Sequence, residues 1–267
     1  MKHWFLQASF LASLLTSLLA RAACAQDFAG ATPGAFIDDP ATLLEHALPS
    51  SAISFAAGVS QVRWWGLPEL ETRAASASGG WRAWRASVGL SQTGEPELGW
   101  TAFGVAFGAA SERAGAGLRA CARRDRDAPW SVARAFGTGA GAEAGAGAWL
   151  MPAPGLRVWA SAPQMWTSGA APPLARPLEL GARYGDRSTL WARLVSPRAG
   201  DDGERAVGLS LAMSPLETWA EVRDAPLRAS VGLVASVASL RVGFRVDAHP
   251  VLGETARVSL AWARAAP

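Results

Sequence analysis

The closing segment runs Leu240-Arg241-Val242-Gly243-Phe244-Arg245-Val246-Asp247, turns through 248–253, and resumes as Ala256-Arg257-Val258-Ser259-Leu260-Ala261-Trp262. Leu240, Val242, Phe244 and Val246 share one parity, and Arg241, Gly243, Arg245 and Asp247 share the other. After the turn, Ala256, Val258, Leu260 and Trp262 oppose Arg257, Ser259 and Ala261. A strand points successive side chains to opposite faces, so this alternation describes a hairpin with one apolar and one polar face. A soluble barrel buries the apolar face, whereas a barrel in lipid turns it outward and keeps arginines inside.

The same alternation recurs upstream. Leu118, Ala120 and Ala122 oppose Arg119, Cys121 and Arg123, and Leu156, Val158 and Ala160 oppose Arg157, Trp159 and Ser161. Leu178, Leu180, Ala182 and Tyr184 oppose Glu179, Gly181 and Arg183. From residue 51 the pattern predicts strands over 51–64, 81–91, 97–109, 113–123, 130–137, 139–150 and 155–162. It continues over 177–184, 188–195, 204–213, 216–223, 227–235, 238–247 and 254–263. That is about fourteen strands, within a range of roughly 12–14. The Gly/Ala tract 137–148 carries the poorest pattern and also reads as a loop. Counted back from the C-terminus, the first, third, fifth and seventh connections are 248–253, 224–226, 196–203 and 163–176, three of them the longest. They alternate with the tight turns 236–237, 214–215, 185–187 and 151–154, as in outer-membrane barrels. The charged run 124–129 breaks this order by falling on the short-turn side.

The chain of 267 residues opens with the basic Met1-Lys2-His3, an apolar run over 4–20 and Ala23-Cys24-Ala25. This is the anatomy of an export signal cleaved after Ala25. Losing Lys2 and Arg21 takes the formal charge from +3 to +1, which gives no electrostatic case for nucleic acid. No later stretch is long and apolar enough for a membrane helix, so an exported chain of this kind is either soluble or a closed barrel. The domain organisation expected is a signal peptide over 1–25, an N-terminal periplasmic or lumenal segment over 26–50 and an outer-membrane β-barrel over 51–267. The fold class is all-β, a closed antiparallel transmembrane barrel with a short helical or irregular N-terminal segment. Thirteen tryptophans against one tyrosine leave Trp to supply the interfacial belts, with Trp64, Trp65, Trp81, Trp100, Trp130, Trp149 and Trp262 near strand ends.

Before the first strand, Asp38-Asp39-Pro40-Ala41-Thr42-Leu43 reads as a capped helix start, and His46-Ala47-Leu48-Pro49 ends it. This opening, with Asp38, Asp39, Pro40 and Pro49, resembles that of the PorV/FadL-like outer-membrane barrels. The ending His249-Pro250-Val251-Leu252-Gly253-Glu254-Thr255 is similar to their last hairpin. The resemblance implies a fourteen-stranded barrel with its N-terminal segment in or under the lumen. It also implies a role either in passing hydrophobic molecules or in protein secretion and surface attachment.

Arg119, Arg157, Glu179, Arg183, Arg193, Arg228, Arg241, Arg245 and Arg257 fall on the inward parity, with Glu217, Glu221 and Asp247. Two readings stay open. The arginines form a cation-lined lumen suited to anionic solutes, or they pair with the acids and fill a narrow barrel. Trp159, Trp191 and Trp219 share that parity. The mature chain keeps two histidines, His46 and His249, neither spaced with a Ser and an acid as a catalytic constellation requires. No catalytic site, metal site or cofactor is expected. The acidic pairs Asp38-Asp39 and Asp201-Asp202 lack further oxygen ligands in sequence. The partners expected are outer-membrane lipid and either a small solute or a secretion-system protein. The function expected is a passive conduit for small or hydrophobic solutes; a non-conducting structural or secretion-accessory barrel and a secreted soluble β-protein are the alternatives.

Overall fold

The structure is a computed structural model, and it describes residues 42–50, 53–94, 99–125, 140–169, 178–196, 203–224 and 227–265. Its strands are β1 (Ile53–Arg63), β2 (Glu71–Trp81), β3 (Trp84–Thr93), β4 (Trp100–Ala110), β5 (Ala114–Asp125), β6 (Ala140–Ala153) and β7 (Leu156–Gly169). They continue with β8 (Leu178–Tyr184), β9 (Ser188–Ser196), β10 (Glu204–Met213), β11 (Leu216–Asp224), β12 (Leu227–Val237), β13 (Leu240–His249) and β14 (Gly253–Ala265). Each pairs antiparallel with its chain neighbours, and β1 pairs with β14 in a register that sets Gly58 opposite Ala261. The sheet is therefore a closed fourteen-stranded barrel. Closure satisfies the ladder without leaving an edge, which is the condition for a sheet to stand in lipid.

The apolar parity faces out. On the closing hairpin Val242, Phe244, Val258, Leu260 and Trp262 are exposed while Arg245 and Arg257 are buried. On β10, Val207, Leu209, Leu211 and Met213 are exposed, and Ala206 and Ser210 are buried. The exposed apolar side chains recur around the wall, from Phe55 and Val59 on β1 through Phe103 and Phe107 on β4 to Leu190 on β9. A soluble protein rarely exposes a contiguous apolar patch above a few hundred Å². No helix among the described residues is long and apolar enough to cross a membrane; the strands form the outward apolar band.

One rim carries the connections 82–83, 111–113, 154–155, 185–187, 214–215 and 238–239. The other carries 64–70, 94–99, 126–139, 170–177, 197–203, 225–226 and 250–252. The long connections thus gather on one rim. β1 begins and β14 ends at the short one, where Ile53 lies opposite Ala265. β5 ends at Asp125 on the long-connection rim, so the connection after it is no exception to the sorting; residues 126–129 of the charged run lie outside the described residues.

Two local expectations change, and a third lies outside the described residues. Strand β2 was not expected, because its outward positions Ala75, Ala77 and Gly79 carry no large apolar side chain. The strand expected over 130–137 lies outside the described residues. The Gly/Ala tract forms β6, and β7 runs on past 162 through a register shift opposite Ala144 and Ala146, so part of the expected loop 163–176 is strand.

Residues 42–50 lie inside the barrel. Helix α1 (Thr42–His46) buries Leu43 and Leu44 against Ala74, Ala102, Ala106 and Cys121 of the inner wall. Ala47 ends it in the left-handed region, at φ 56°, with its N–H donated to the Leu43 carbonyl at 3.1 Å. Leu48 then packs among Ala110, Trp149, Trp159, Trp191 and Trp219. Gly117 and Gly147 supply the seat. A Cβ at Gly117 would lie 2.6 Å from the Ala47 carbonyl oxygen, and one at Gly147 would strike the His46 carbonyl. The glycines that weaken the β6 pattern thus let the backbone of the segment approach the wall.

Candidate functional site

Four inward tryptophans form a girdle inside the barrel. Trp149 on β6, Trp159 on β7, Trp191 on β9 and Trp219 on β11 are each almost fully buried. Each lies over a glycine of the adjacent strand: Gly115, Gly181, Gly208 and Gly232 respectively. A glycine opposite leaves room for an indole to lie flat on the sheet, and the ring covers the backbone that glycine leaves bare. Trp149 was expected at a membrane belt. It points inward on the buried parity of β6, lies over Gly115, and its Nε1 donates to the Pro49 carbonyl at 2.8 Å. Trp100, another belt expectation, is also buried, with the Arg123 guanidinium 4.3 Å from its ring centre.

An ion-pair network runs beside the girdle across seven strands. Glu221 accepts from Arg193 at 2.7 and 3.0 Å, from Arg223 Nε at 2.7 Å and from Trp191 Nε1 at 3.1 Å. Arg193 reaches on to Glu179 at 3.5 Å, which accepts from Trp159 Nε1 at 3.1 Å. Arg223 also faces Glu204 at 3.6 Å, and Glu204 pairs closely with Arg228. Asp247 accepts from Arg245 Nε at 2.8 Å and from the Ser230 hydroxyl at 2.5 Å, with Arg257 Nε at 3.4 Å. Removing charges from water is repaid where the ions are also hydrogen-bonded, as Arg193 and Glu221 are here.

The sequence-selected residues separate into three places. Glu179, Arg193, Arg228, Arg245 and Arg257 join this network. Arg119 lies on the opposite wall, where it pairs with Glu143 at 2.7 Å and donates to the Pro163 carbonyl at 2.6 Å. Arg157, Arg183 and Arg241 lie half-buried near the short-connection rim; Arg157 and Arg183 are register partners, and Arg157 sits 4.6 Å from the Trp149 ring centre. Pro49 is buried in the lumen segment, whereas Asp38, Asp39 and Pro40 lie outside the described residues. Sequence reading missed Arg223, Glu204 and Glu143. Arg223 shares the parity of Glu221 and could have been found, but Glu143 was hidden in the Gly/Ala tract.

The lumen segment is tied to this wall by polar contacts. The Ser161 hydroxyl donates to the His46 carbonyl at 2.6 Å, and Arg85 Nε donates to the Ser50 carbonyl at 2.7 Å. The His46 ring lies between Glu45 at 3.7 Å and Glu179 at 3.6 Å. Ser161 therefore bonds the backbone of His46 and not its ring, which is not the nucleophile–base geometry of a hydrolase. His249 Nδ1 accepts from the N–H groups of Val251 and Leu252 at 3.2 and 3.1 Å, and so shapes the last hairpin turn. Among the described residues no group of three or more His, Cys, Asp or Glu side chains could hold a metal ion.

Apolar wall, closed meander, sorted rims and charged interior together define a porin-like outer-membrane β-barrel fold. The outer membrane protein Omp33 of Acinetobacter baumannii has a similar structure, with a TM-score of 0.51 at 12% identity over 80% of this chain and 99% of that one. An engineered variant of the Rh. blastica porin gives a TM-score of 0.44 at 11% identity over 80% and 99% of the two chains. The KdgM porin gives 0.42 at 6% identity over 78% and 98%. At these identities the likeness to Omp33 is one of fold. No protein-family model matches the chain, and no curated protein does.

Proposed function

We propose that this protein is a passive conduit for small solutes in the bacterial outer membrane, held shut at rest by residues 42–50. The observation that carries the reading is a closed barrel with a charged inner face, obstructed by a short peptide segment seated on glycines. Obstruction of this kind is reversible in principle, because the segment touches the wall through Leu43, Leu44, Leu48 and a few hydrogen bonds, without a covalent link. Water and small ions could then follow the arginine-lined wall, where fixed charge selects among solutes. The alternative is a non-conducting structural or secretion-accessory barrel. The tight seating of the segment under the tryptophan girdle favours it.

Planar-bilayer recording separates the two. Gly147→Val places a branched side chain where the His46 carbonyl rests, and deletion of residues 42–50 removes the obstruction outright. Both variants, checked for the folded band on an unheated gel, are expected to conduct well above the unmodified protein. Folded variants that stay silent would refute the conduit and leave the structural barrel.

A further inference from the structure

Beyond conduction, the long-connection mouth contains a cavity of about 250 Å³, room for about eight water molecules at their liquid volume. Trp64, Trp65, Arg228, Arg245 and Arg257 are among the side chains that line it. Trp65 is held in the left-handed region at φ 50°, an unfavourable backbone for a bulky residue, with its N–H donated to the Thr255 hydroxyl at 3.2 Å. Strain of that kind gathers at ligand sites.

Arg223, Arg228, Arg245 and Arg257 share Glu204, Glu221 and Asp247, with Glu45 a further acidic charge near Arg257, and Glu221 is also engaged by Arg193. Arg257 is charge-balanced but poorly hydrogen-bonded. It is 5% exposed, its Nε lacks a hydrogen-bond partner, and its nearest counter-charge is the Asp247 carboxylate, already bonded by Arg245 and Ser230. Its guanidinium lies 5.2 Å from the Trp64 ring centre. A buried guanidinium carries five donors in a planar fork that matches a carboxylate, and leaving them unmet is costly.

We infer that this cavity binds a small organic monocarboxylate with a flat apolar body, its carboxylate on Arg257 and its ring against the Trp64–Trp65 pair. A single negative charge suits the site better than two, because Asp247 stands 3.4 Å from Arg257 Nε. The volume admits a body of about one aromatic ring.

The test is calorimetric titration of the folded full-length protein in detergent micelles with benzoate, and with acetate and benzyl alcohol as probes of the carboxylate and the ring alone. Benzoate is expected to bind saturably and more tightly than either. Arg257→Gln should weaken benzoate at least tenfold, the scale of one charge-assisted hydrogen bond. Arg257→Lys should recover part of that loss, and Trp64→Leu should reduce benzoate to the affinity of acetate. Each variant is checked for the folded band before titration. Equal binding of benzoate and benzyl alcohol, no saturable benzoate binding, or a folded Arg257→Gln protein that binds benzoate like the unmodified one would overturn the inference. Binding is read without conduction, so a failure here is distinct from a failure of the conduit reading.

Discussion

Gly208→Ala probes the packing of the girdle with a single methyl group. Gly208 lies opposite Trp191 in the β9–β10 register. An added Cβ would fall on the Cζ2–Cε2 edge of that indole and 2.7 Å from the Ala220 carbonyl oxygen. Neither neighbour can move freely. Trp191 is 1% exposed and tied to Glu221 at 3.1 Å, and the Ala220 carbonyl belongs to the β10–β11 ladder. Overpacking costs about 1–3 kcal/mol, and loss of a hydrogen bond to a charged group adds about 1.5–3 kcal/mol. The expected destabilisation is therefore about 2.5–6 kcal/mol. Two further variants calibrate it. Gly232→Ala meets Trp219 in the same way, but Trp219 Nε1 has no hydrogen bond to lose, so only the overpacking cost of about 1–3 kcal/mol applies. Gly79→Ala adds a methyl on the outward face with nothing within 4 Å, and should be neutral or stabilising by up to about 1 kcal/mol. Urea unfolding of the lipid-reconstituted proteins, followed by tryptophan emission, gives the three values. Equal stabilities for the three variants, or Gly79→Ala the least stable, would refute the packing argument.

Arg193→Met leaves Glu179 and Glu221 short of their shared cation and should cost about 3–5 kcal/mol in the same assay. Arg205→Met, whose exposed side chain faces Asp224 at 3.8 Å, should stay within about 1 kcal/mol of the unmodified protein. Leu209→Arg sets a charge mid-strand on the outward face, where Leu209 is 59% exposed, and should cost about 2–4 kcal/mol in a bilayer. Leu48→Ala empties the contact between the lumen segment and the girdle and should raise bilayer conductance above that of the unmodified barrel, without reaching that of the 42–50 deletion.

The closing hairpin was legible because bulky apolar and charged residues alternate strictly along it, and the sorted connections gave the barrel its two rims. Strand β2 was not legible. Its outward Ala75, Ala77 and Gly79 differ too little from its inward Ser76 and Ser78 for a period to show. That Trp149 lies over Gly115 depends on the β5–β6 register, which one sequence does not reveal. The pairing of Arg119 with Glu143 depends likewise on the β5–β6 register, and the bend of β7 that presents the Pro163 carbonyl to Arg119 left no trace in the apolar pattern. Parity assigns a side chain to a face, whereas a network or a cavity also needs to know which strands are neighbours and how they are aligned.

The central claim is that the apolar parity faces lipid and the arginine parity faces the lumen. It is tested by fluorophores placed singly on β13 in a Cys24→Ala, Cys121→Ala background. Labels at Val242→Cys and Phe244→Cys should be quenched by nitroxide lipids, while labels at Arg241→Cys and Gly243→Cys should be spared. Quenching at 241 and 243 with protection at 242 and 244 would contradict the account.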